Sequence, residues 1–315
     1  MRRATQIPFA AATLLLTSCG PDSQVAGIEG SGAPAPVTAT GTITGFGSIF
    51  VNGVEYTTTG AQIQIDDQSG TESQLAIGEV VTVTGTLNAD DTTGTATEVT
   101  FSGNVLGPVT DVSVPSQTFI VLGQTVLVTN STTFDPNIQP PGIAGIKQDA
   151  RVEVSGFPDS SGRIVASRIQ LATAGTDLRV QGVVQGLNTS AEVFQINALS
   201  VDYGAATLRG TLSNNSLVEV EGSSLSAAGA LMATVVTVLP PPGGPPNSHG
   251  EVEGVITVFT SSSDFVVSGV HVTTNANTQF ALNGVTLGLN VRVDVEGTFD
   301  SSGILLASSV EAGDE

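Results

Sequence analysis

The most regular pattern in this chain is a short alternation of apolar and polar residues that ends in glycine. It first occurs at residues 81–85, Val-Thr-Val-Thr-Gly, and returns at 152–156, 218–222 and 293–297. A period of two places the valines on one face of a β-strand and the polar residues on the other. These segments are therefore predicted to be strands with one buried and one solvated face.

Three further landmarks recur around this strand in a constant order. Each copy opens with a Gly-x-apolar segment and continues with an apolar-x-apolar-x-small strand that has another apolar residue three places on. An alanine follows the strand glycine by 10 or 11 residues. In order of copies, the openings are Gly41, Gly103, Gly182 and Gly254, the second strands start at Ile49, Phe119, Phe194 and Phe265, and the alanines are Ala96, Ala166, Ala233 and Ala307. Such recurrence indicates four copies of one structural unit.

The copies divide the chain into four predicted units: repeat 1 (38–102), repeat 2 (103–174), repeat 3 (176–240) and repeat 4 (249–311). Each is expected to have about five strands, the third of them a variable segment that ends at Ile63, Phe134, Leu208 or Phe280. Five strands curled into a barrel bury the valine face and leave few free edges. The predicted fold class is thus all-β, with four tandem small five-stranded barrels.

A proline- and glycine-rich linker, residues 241–248, separates repeats 3 and 4. In an extended form the seven Pro and Gly residues 240–246 reach about 20 Å. We therefore expect repeat 4 to stand apart while repeats 1 to 3 pack in a row. Because units of about 65 residues are near the lower limit for an independent core, contacts between repeats are expected to add stability.

Composition agrees with an all-β chain, and charge excludes one class of partner. The sequence is 40% hydrophobic but 4% aromatic, with 37 Gly and no Trp. Its formal net charge is −20, from 9 Lys and Arg against 29 Asp and Glu. Phosphate backbones are bound through clustered basic residues, so a nucleic-acid partner is not expected.

The first residues have the features of a secretory signal. Residues 1–18 combine Arg2 and Arg3 with an apolar run too short to span a membrane. The run ends in Leu-Thr-Ser before Cys19, which resembles the lipobox of bacterial lipoproteins, in which the cysteine thiol carries diacylglycerol and the new amino group is acylated. The alternative is an ordinary secretory leader that contains a cysteine.

The segment after the cysteine is expected to tether the lipid to the first repeat. Residues 19–37 are rich in Gly, Pro, Ser and Ala and bury too little apolar surface to fold. Gly20, where inner-membrane lipoproteins of enteric bacteria have aspartate, points to the outer membrane, with the repeats facing the periplasm or the outside.

The repeats resemble the bacterial family called domain of unknown function 5666. The resemblance rests on residues 45–49 (Gly-Phe-Gly-Ser-Ile), residues 51–54 (Val-Asn-Gly-Val), the Val-x-Val-x-Gly strand and the Ala-x-x-apolar close. Repeats 3 and 4 lack the Gly-Phe-Gly-Ser segment, and Ala198 replaces the glycine of the second strand in repeat 3. The resemblance implies small barrels similar to the oligonucleotide/oligosaccharide-binding (OB) fold, often in lipoproteins, and transfers no catalytic residue.

Acidic turns in repeat 1 are weak candidates for a calcium site, because calcium prefers six to eight oxygen ligands. The residues are Asp66, Asp67, Asp90 and Asp91. The turns that correspond to residues 88–94 in the other repeats keep a glycine but not the acidic pair. That pattern favours a hairpin with a left-handed residue over a metal cage, so no metal and no cofactor are predicted.

Other candidate groups are few. His249 is expected to be solvated after the linker, and His271 to point outward from its strand. Tyr56 and Phe157 are weak candidates for stacking on a ligand, if they lie on the outer face.

The sequence favours a non-enzymatic, lipid-anchored envelope protein that serves as a binding or spacer module. The alternatives are a carbohydrate or peptide receptor that uses one barrel face, and an enzyme of unknown type. Its ligand or envelope partner and its oligomeric state stay open.

Overall fold

A computed structural model describes residues 34–172 and 175–313. The predicted leader, Cys19 and nearly all of the tether lie outside these residues. Strands are the main regular element of the described part, with single turns of 3₁₀ helix at Glu72–Gln74 and Ile143–Gly145.

The strands follow one another in four similar sets. Repeat 1 contains β1 (Ala35–Gly45), β2 (Ile49–Val51), β3 (Val54–Thr57), β4 (Gln62–Ile65), β5 (Gln68–Ser69), β6 (Val80–Leu87) and β7 (Thr93–Phe101). Repeat 2 contains β8 (Val105–Ser113), β9 (Thr118–Val121), β10 (Gln124–Leu127), β11 (Thr133–Phe134), β12 (Arg151–Pro158) and β13 (Ile164–Leu171). Repeat 3 contains β14 (Leu178–Val183), β15 (Gln185–Asn188), β16 (Val193–Ile196), β17 (Leu199–Asp202), β18 (Thr207–Arg209), β19 (Leu217–Leu225) and β20 (Leu231–Val238). Repeat 4 contains β21 (His249–Ser261), β22 (Asp264–Val267), β23 (Val270–Thr273), β24 (Gln279–Ala281), β25 (Arg292–Phe299) and β26 (Leu305–Ala312).

The strands of repeat 1 close into a ring in the order β1–β2–β3–β7–β6–β1. All pairs are antiparallel except β3 with β7, which are parallel. Repeats 2 and 4 form the same ring from β8–β9–β10–β13–β12 and from β21–β22–β23–β26–β25. In repeat 3 the first strand is interrupted at Val184, so β14 pairs with β19 while β15 pairs with β16. A closed five-stranded Greek-key ring is OB-like, and the prediction of an all-β chain with such barrels is confirmed.

The second landmark is a hairpin of two strands and not, as predicted from the sequence, one strand. In repeat 1 the chain reverses at Asn52 and Gly53, whose φ angles are 51° and 82°. Two successive residues with positive φ form the tight turn that suits paired strands, which is why glycine recurs here. The variable segment does form a short strand, but this strand runs parallel to the last strand of the repeat and is not a member of the ring.

The strand glycine and the closing alanine lie opposite each other. The pairs are Gly85 with Ala96, Gly156 with Ala166, Gly222 with Ala233 and Gly297 with Ala307, and in each the register shifts immediately before the glycine. A Cβ on any of these glycines would collide with the carbonyl oxygen of the residue that precedes the alanine. The recurrent glycine is therefore explained by a close approach of two backbones at a β-bulge.

The repeats associate in two pairs. Repeats 2 and 3 share a sheet through antiparallel β8 and β14, and repeats 1 and 4 share another through parallel β1 and β21. The expectation that repeat 4 stands apart from a row of three is therefore wrong. The linker folds back instead of extending: Asn247 N donates to Phe299 O (2.7 Å), and Phe299 N donates to Ser248 O (3.0 Å).

The hydrophobic cores follow these pairs only in part. Among the described residues, one continuous cluster runs through repeats 2 and 3, from Val105 to Val236. Repeat 1 has a cluster of its own around Ile43, Val83 and Val99, and repeat 4 has one around Ile256 and Val295. Repeats 1 and 4 are thus joined by strand pairing and polar contacts rather than by a common core.

Candidate functional site

Several ion pairs and two polar cavities of this protein lie at contacts between repeats. Arginines are scarce, yet most of those described contact another repeat. Ion pairs that cross between repeats in the described part of the chain include Arg168–Glu79, Arg179–Asp66, Arg179–Glu153 and Arg209–Asp67. The outer faces of the strands, which the sequence pattern assigned to solvent, therefore supply the contacts between barrels.

Arg179 is the most buried of these cations, with a side chain 8% exposed. It binds Asp66 of repeat 1 and lies 3.2 Å from Glu153 Oε1 of repeat 2, while its own strand belongs to repeat 3. Burial lowers the pKa of Arg179 and raises the pKa of Glu153. One guanidinium of repeat 3 thus contacts carboxylates of both repeat 1 and repeat 2.

A cavity of about 170 Å³, which we call the acidic cavity, lies between repeats 1 and 4. It is lined by Asn52, Val54, Asp91, Glu251, Asp294, Glu296, Ser309 and Glu311. At its edge, Tyr56 Oη donates to Glu251 Oε2 (3.3 Å), and His249 Nε2 lies 3.3 Å from Glu251 Oε1 and 3.5 Å from Glu296 Oε1. The expectation that His249 is solvated is wrong, because β21 places its side chain beside the acidic cavity, where it is 18% exposed.

Crowded carboxylates change the protonation of the acidic cavity. Burial, followed by the charges of Glu253, Glu251, Glu311 and Glu296, raises the pKa of Asp294 to about 7. Burial opposes the charged form of His249, but the hydrogen bond to Glu251 and the nearby acidic groups outweigh it and raise the pKa. Both groups therefore retain protons more readily than they do in water.

A larger cavity of about 470 Å³, the junction cavity, lies between repeats 2 and 4. It is lined by Gln117, Leu127, Val128, Thr129, Asn130, Ser131, Asp159, Arg163, Val165, Val255, Asn290 and Arg292. Amide, hydroxyl and guanidinium groups surround apolar side chains, a mixture typical of small-molecule sites.

The two arginines of the junction cavity are both held by carboxylates. Arg163 Nε lies 2.7 Å from Asp159 Oδ2, and Arg292 binds Glu253. The Arg292 guanidinium also lies 5.2 Å from the centre of the Phe157 ring. The cavity therefore offers fixed hydrogen-bond donors without an excess of positive charge.

The ligand-binding hypothesis required Tyr56 and Phe157 to lie on the outer face, but the structure buries both rings. Tyr56 is 0% exposed and Phe157 is 2% exposed. Gly94 packs against the Tyr56 ring, and Arg292 covers Phe157. Neither ring offers a face on which a ligand can stack.

The acidic residues proposed for calcium separate into different places. Asp66 pairs with Arg179. Asp90 Oδ1 accepts the backbone N–H groups of Thr92 (3.1 Å) and Thr93 (2.9 Å), so it caps the turn. Asp91 adopts the left-handed conformation, with φ 53°, that glycine adopts in the corresponding turns of the other repeats, and it lines the acidic cavity.

Asp67 lies in a group that the sequence did not suggest. Its carboxylate and those of Glu219 and Glu221 have oxygens within 4.8 Å of one another, in the described part of the chain. The two glutamates come from the Val-Glu-Val-Glu-Gly strand of repeat 3. Their spacing was visible in the sequence, but nothing in repeat 1 indicated that repeat 3 would face it.

The histidines have only carboxylate partners among the contacts of the described residues. His271 is 44% exposed, as expected, and its Nε2 lies 2.8 Å from Asp264 Oδ1. His249 contacts Glu251 and Glu296.

No helix in the described part is long and apolar enough to cross a membrane.

The described part of the chain thus consists of tandem five-stranded OB-like rings that are joined by shared strands and polar contacts. The sequence matches the family described as "Domain of unknown function (DUF5666)" at residues 36–100, 107–170 and 253–311. The chain belongs to this family.

Two further comparisons add little. No curated protein matches the chain. Among solved structures it is similar to drosophila Unr CSD456, at 13% identity over 54% of this chain and 79% of that chain, with a TM-score of 0.16. That likeness is too low to support an argument, so the OB-like assignment rests on the strand order.

Proposed function

We propose that this protein is a non-catalytic binding module of the bacterial cell envelope, anchored by lipid on Cys19, with its ligand site in the junction cavity. The proposal rests on the cavity of about 470 Å³ between repeats 2 and 4. Its volume falls in the range of small-ligand sites, roughly 300–1,000 Å³. Because two repeats supply the walls, the site exists only in the assembled molecule.

The lining favours a neutral, hydroxyl-rich ligand of the size of a mono- or disaccharide. Both cavity arginines are already neutralised by carboxylates. The whole chain carries a formal charge of −20, which repels anions. Gln117 Nε2 donates to Val114 O and Asn290 Oδ1 accepts from Ser160 N, so Gln117 contributes chiefly an acceptor and Asn290 chiefly a donor. The amide of Asn130 contributes both, and together these groups suit vicinal hydroxyl groups.

Asn130→Ala is expected to weaken saccharide binding about fivefold, the effect of one lost hydrogen bond. The measurement is ligand-observed NMR titration of the full chain in detergent with a panel of neutral mono- and disaccharides. Asn277→Ala removes an exposed amide elsewhere in repeat 4 and leaves binding unchanged. A panel that gives no binding contradicts the ligand class, and binding of short uncharged peptides in its place assigns the cavity to peptides.

Cys19→Ser is expected to abolish fatty-acid labelling and to move the protein from the detergent phase to the aqueous phase. The thiol is the attachment point in the lipoprotein hypothesis, and several acyl chains give stable anchoring where one is marginal. Ser23→Ala, in the tether, is the control and retains the label. Unchanged labelling and partitioning of the Cys19 variant would contradict the lipid anchor.

A further inference from the structure

Repeats 1 and 4 are joined by a short contact. Residues Val37 to Thr40 of β1 pair in parallel with His249 to Val252 of β21. Beside this pairing, the backbone N–H and the hydroxyl of Thr42 both donate to Glu253 Oε2, at 2.7 and 2.8 Å. We call this contact the 1–4 joint. Its strength depends on polar groups because the two repeats have separate cores.

The 1–4 joint is bordered by the acidic cavity, in which negative charge far exceeds positive charge. The charged and titratable groups around Asp294 are His249, Glu251 and Glu253 from β21, Arg292 and Glu296 from β25, Glu311 from β26, and Asp91 and Tyr56 from repeat 1. Arg292 is bound to Glu253 at one side. Full ionisation therefore places five carboxylates around about 170 Å³ with His249 as the nearest compensating group.

We propose that the 1–4 joint is a proton-controlled contact. Repeats 1 and 4 stay paired while the acidic cavity holds a proton, and β21 separates from β1 when the cavity carboxylates are all ionised. The groups that repel one another come from both repeats, since Asp91 belongs to repeat 1 and the other carboxylates belong to repeat 4. Separation of the two repeats removes Asp91 from the other four carboxylates and opens the cavity, whose wall includes Asn52 and Val54 of repeat 1, to water.

The direction of the pH effect follows from the protons that each state binds. Burial is the first cause that raises the pKa of Asp294, which lies at about 7 in the paired molecule. Separation opens the acidic cavity to water and so lowers this pKa, which means that the paired state binds more protons than the separated state. The joint is therefore more stable at acid pH and weakens as the pH rises through 7.

Repeat 4 is able to separate as a folded unit because its core does not depend on repeat 1. The cluster around Ile256 and Val295 lies within repeat 4. Repeats 2 and 3, by contrast, share one core and have no such freedom. The linker, which folds against Phe299 of repeat 4, stays with that repeat.

Hydrogen exchange of the full chain in detergent tests the proposal. Between pH 5.5 and 8.5, after correction for intrinsic exchange, protection of peptides that cover β1 and β21 is expected to fall about tenfold or more, whereas peptides of β12 and β13 keep theirs. Asp294→Asn removes most of this pH dependence, and Glu311→Gln reduces it. Asp111→Asn, an exposed carboxylate of repeat 2, behaves as the unaltered chain.

Three outcomes overturn the proposal. The first is equal protection of β1 and β21 at both pH values. The second is an unchanged pH dependence in both the Asp294 and the Glu311 variants. The third is a parallel loss of protection in all repeats, which reports general unfolding of an acidic chain and not a local joint.

Discussion

Arg179→Ala is expected to lower the free energy of unfolding by about 3–5 kcal/mol at pH 7. The substitution leaves Asp66 and Glu153 without their shared cation in a region from which water is largely excluded. A buried charge that loses its partner is far more costly than a lost surface pair. Urea unfolding, followed by circular dichroism, measures the change.

A matched control is available in the same repeat. Arg209 forms an exposed pair with Asp67 at 3.8 Å, so Arg209→Ala is expected to cost less than about 1 kcal/mol. The loss in the Arg179 variant should also shrink at acid pH, because burial raises the pKa of Glu153 and lets it take up a proton more readily. Equal effects of the two substitutions would show that the three-repeat contact contributes no more than a surface ion pair.

Gly156→Ala is expected to destabilise the protein by about 3 kcal/mol, the cost of forcing extra volume into a packed region. The new Cβ would meet the carbonyl oxygen of Val165 and the Cα of Ala166, which are backbone atoms and cannot rotate away. Strand β12 must shift away from β13, which breaks the ring of repeat 2. The urea midpoint and the thermal midpoint both report this loss.

Gly288→Ala is the control for the Gly156 variant. A Cβ at Gly288 has no atom within 4 Å, and no left-handed conformation strains it. Its effect is expected to stay within about 0.5 kcal/mol. If Gly156→Ala were as mild, the recurrent glycine would need an explanation other than backbone contact.

The strands were predictable because the residue pattern within each strand indicates it without reference to the rest of the chain. Alternating valines mark the face that is buried, and four copies of the glycine and the alanine fix corresponding positions in every repeat. The sequence could not show that this glycine and this alanine face each other, since their contact depends on the bulge. It also could not divide the second landmark into two strands, because a two-residue turn interrupts the apolar pattern too briefly.

The associations between repeats were not predictable for a different reason. Glu153, Glu219 and Glu251 occupy positions that the period of two assigns to solvent. Glu219 and Glu251 lie buried and Glu153 half-buried, all three at contacts with other repeats. A polar residue that meets another barrel has the same pattern as one that meets water. Phe157 shows the converse, because Arg292 of repeat 4 covers a ring for which an outer face was expected. The Tyr56 ring lies in the core of its own repeat, and its hydroxyl donates to Glu251 of repeat 4.

The pairing of β1 with β21 has a consequence for how the chain is made. Thr42 donates hydrogen bonds to Glu253, which is 211 residues further along the sequence, so this contact forms only after most of the chain has been made. In a solenoid each repeat contacts only its neighbours and is able to fold as it emerges. Here the edge of β1 that pairs with β21 stays uncovered during synthesis until repeat 4 has been made. A chaperone that shields this edge during synthesis would therefore be of more use to repeat 1 than to repeat 2, whose partner strand follows it closely.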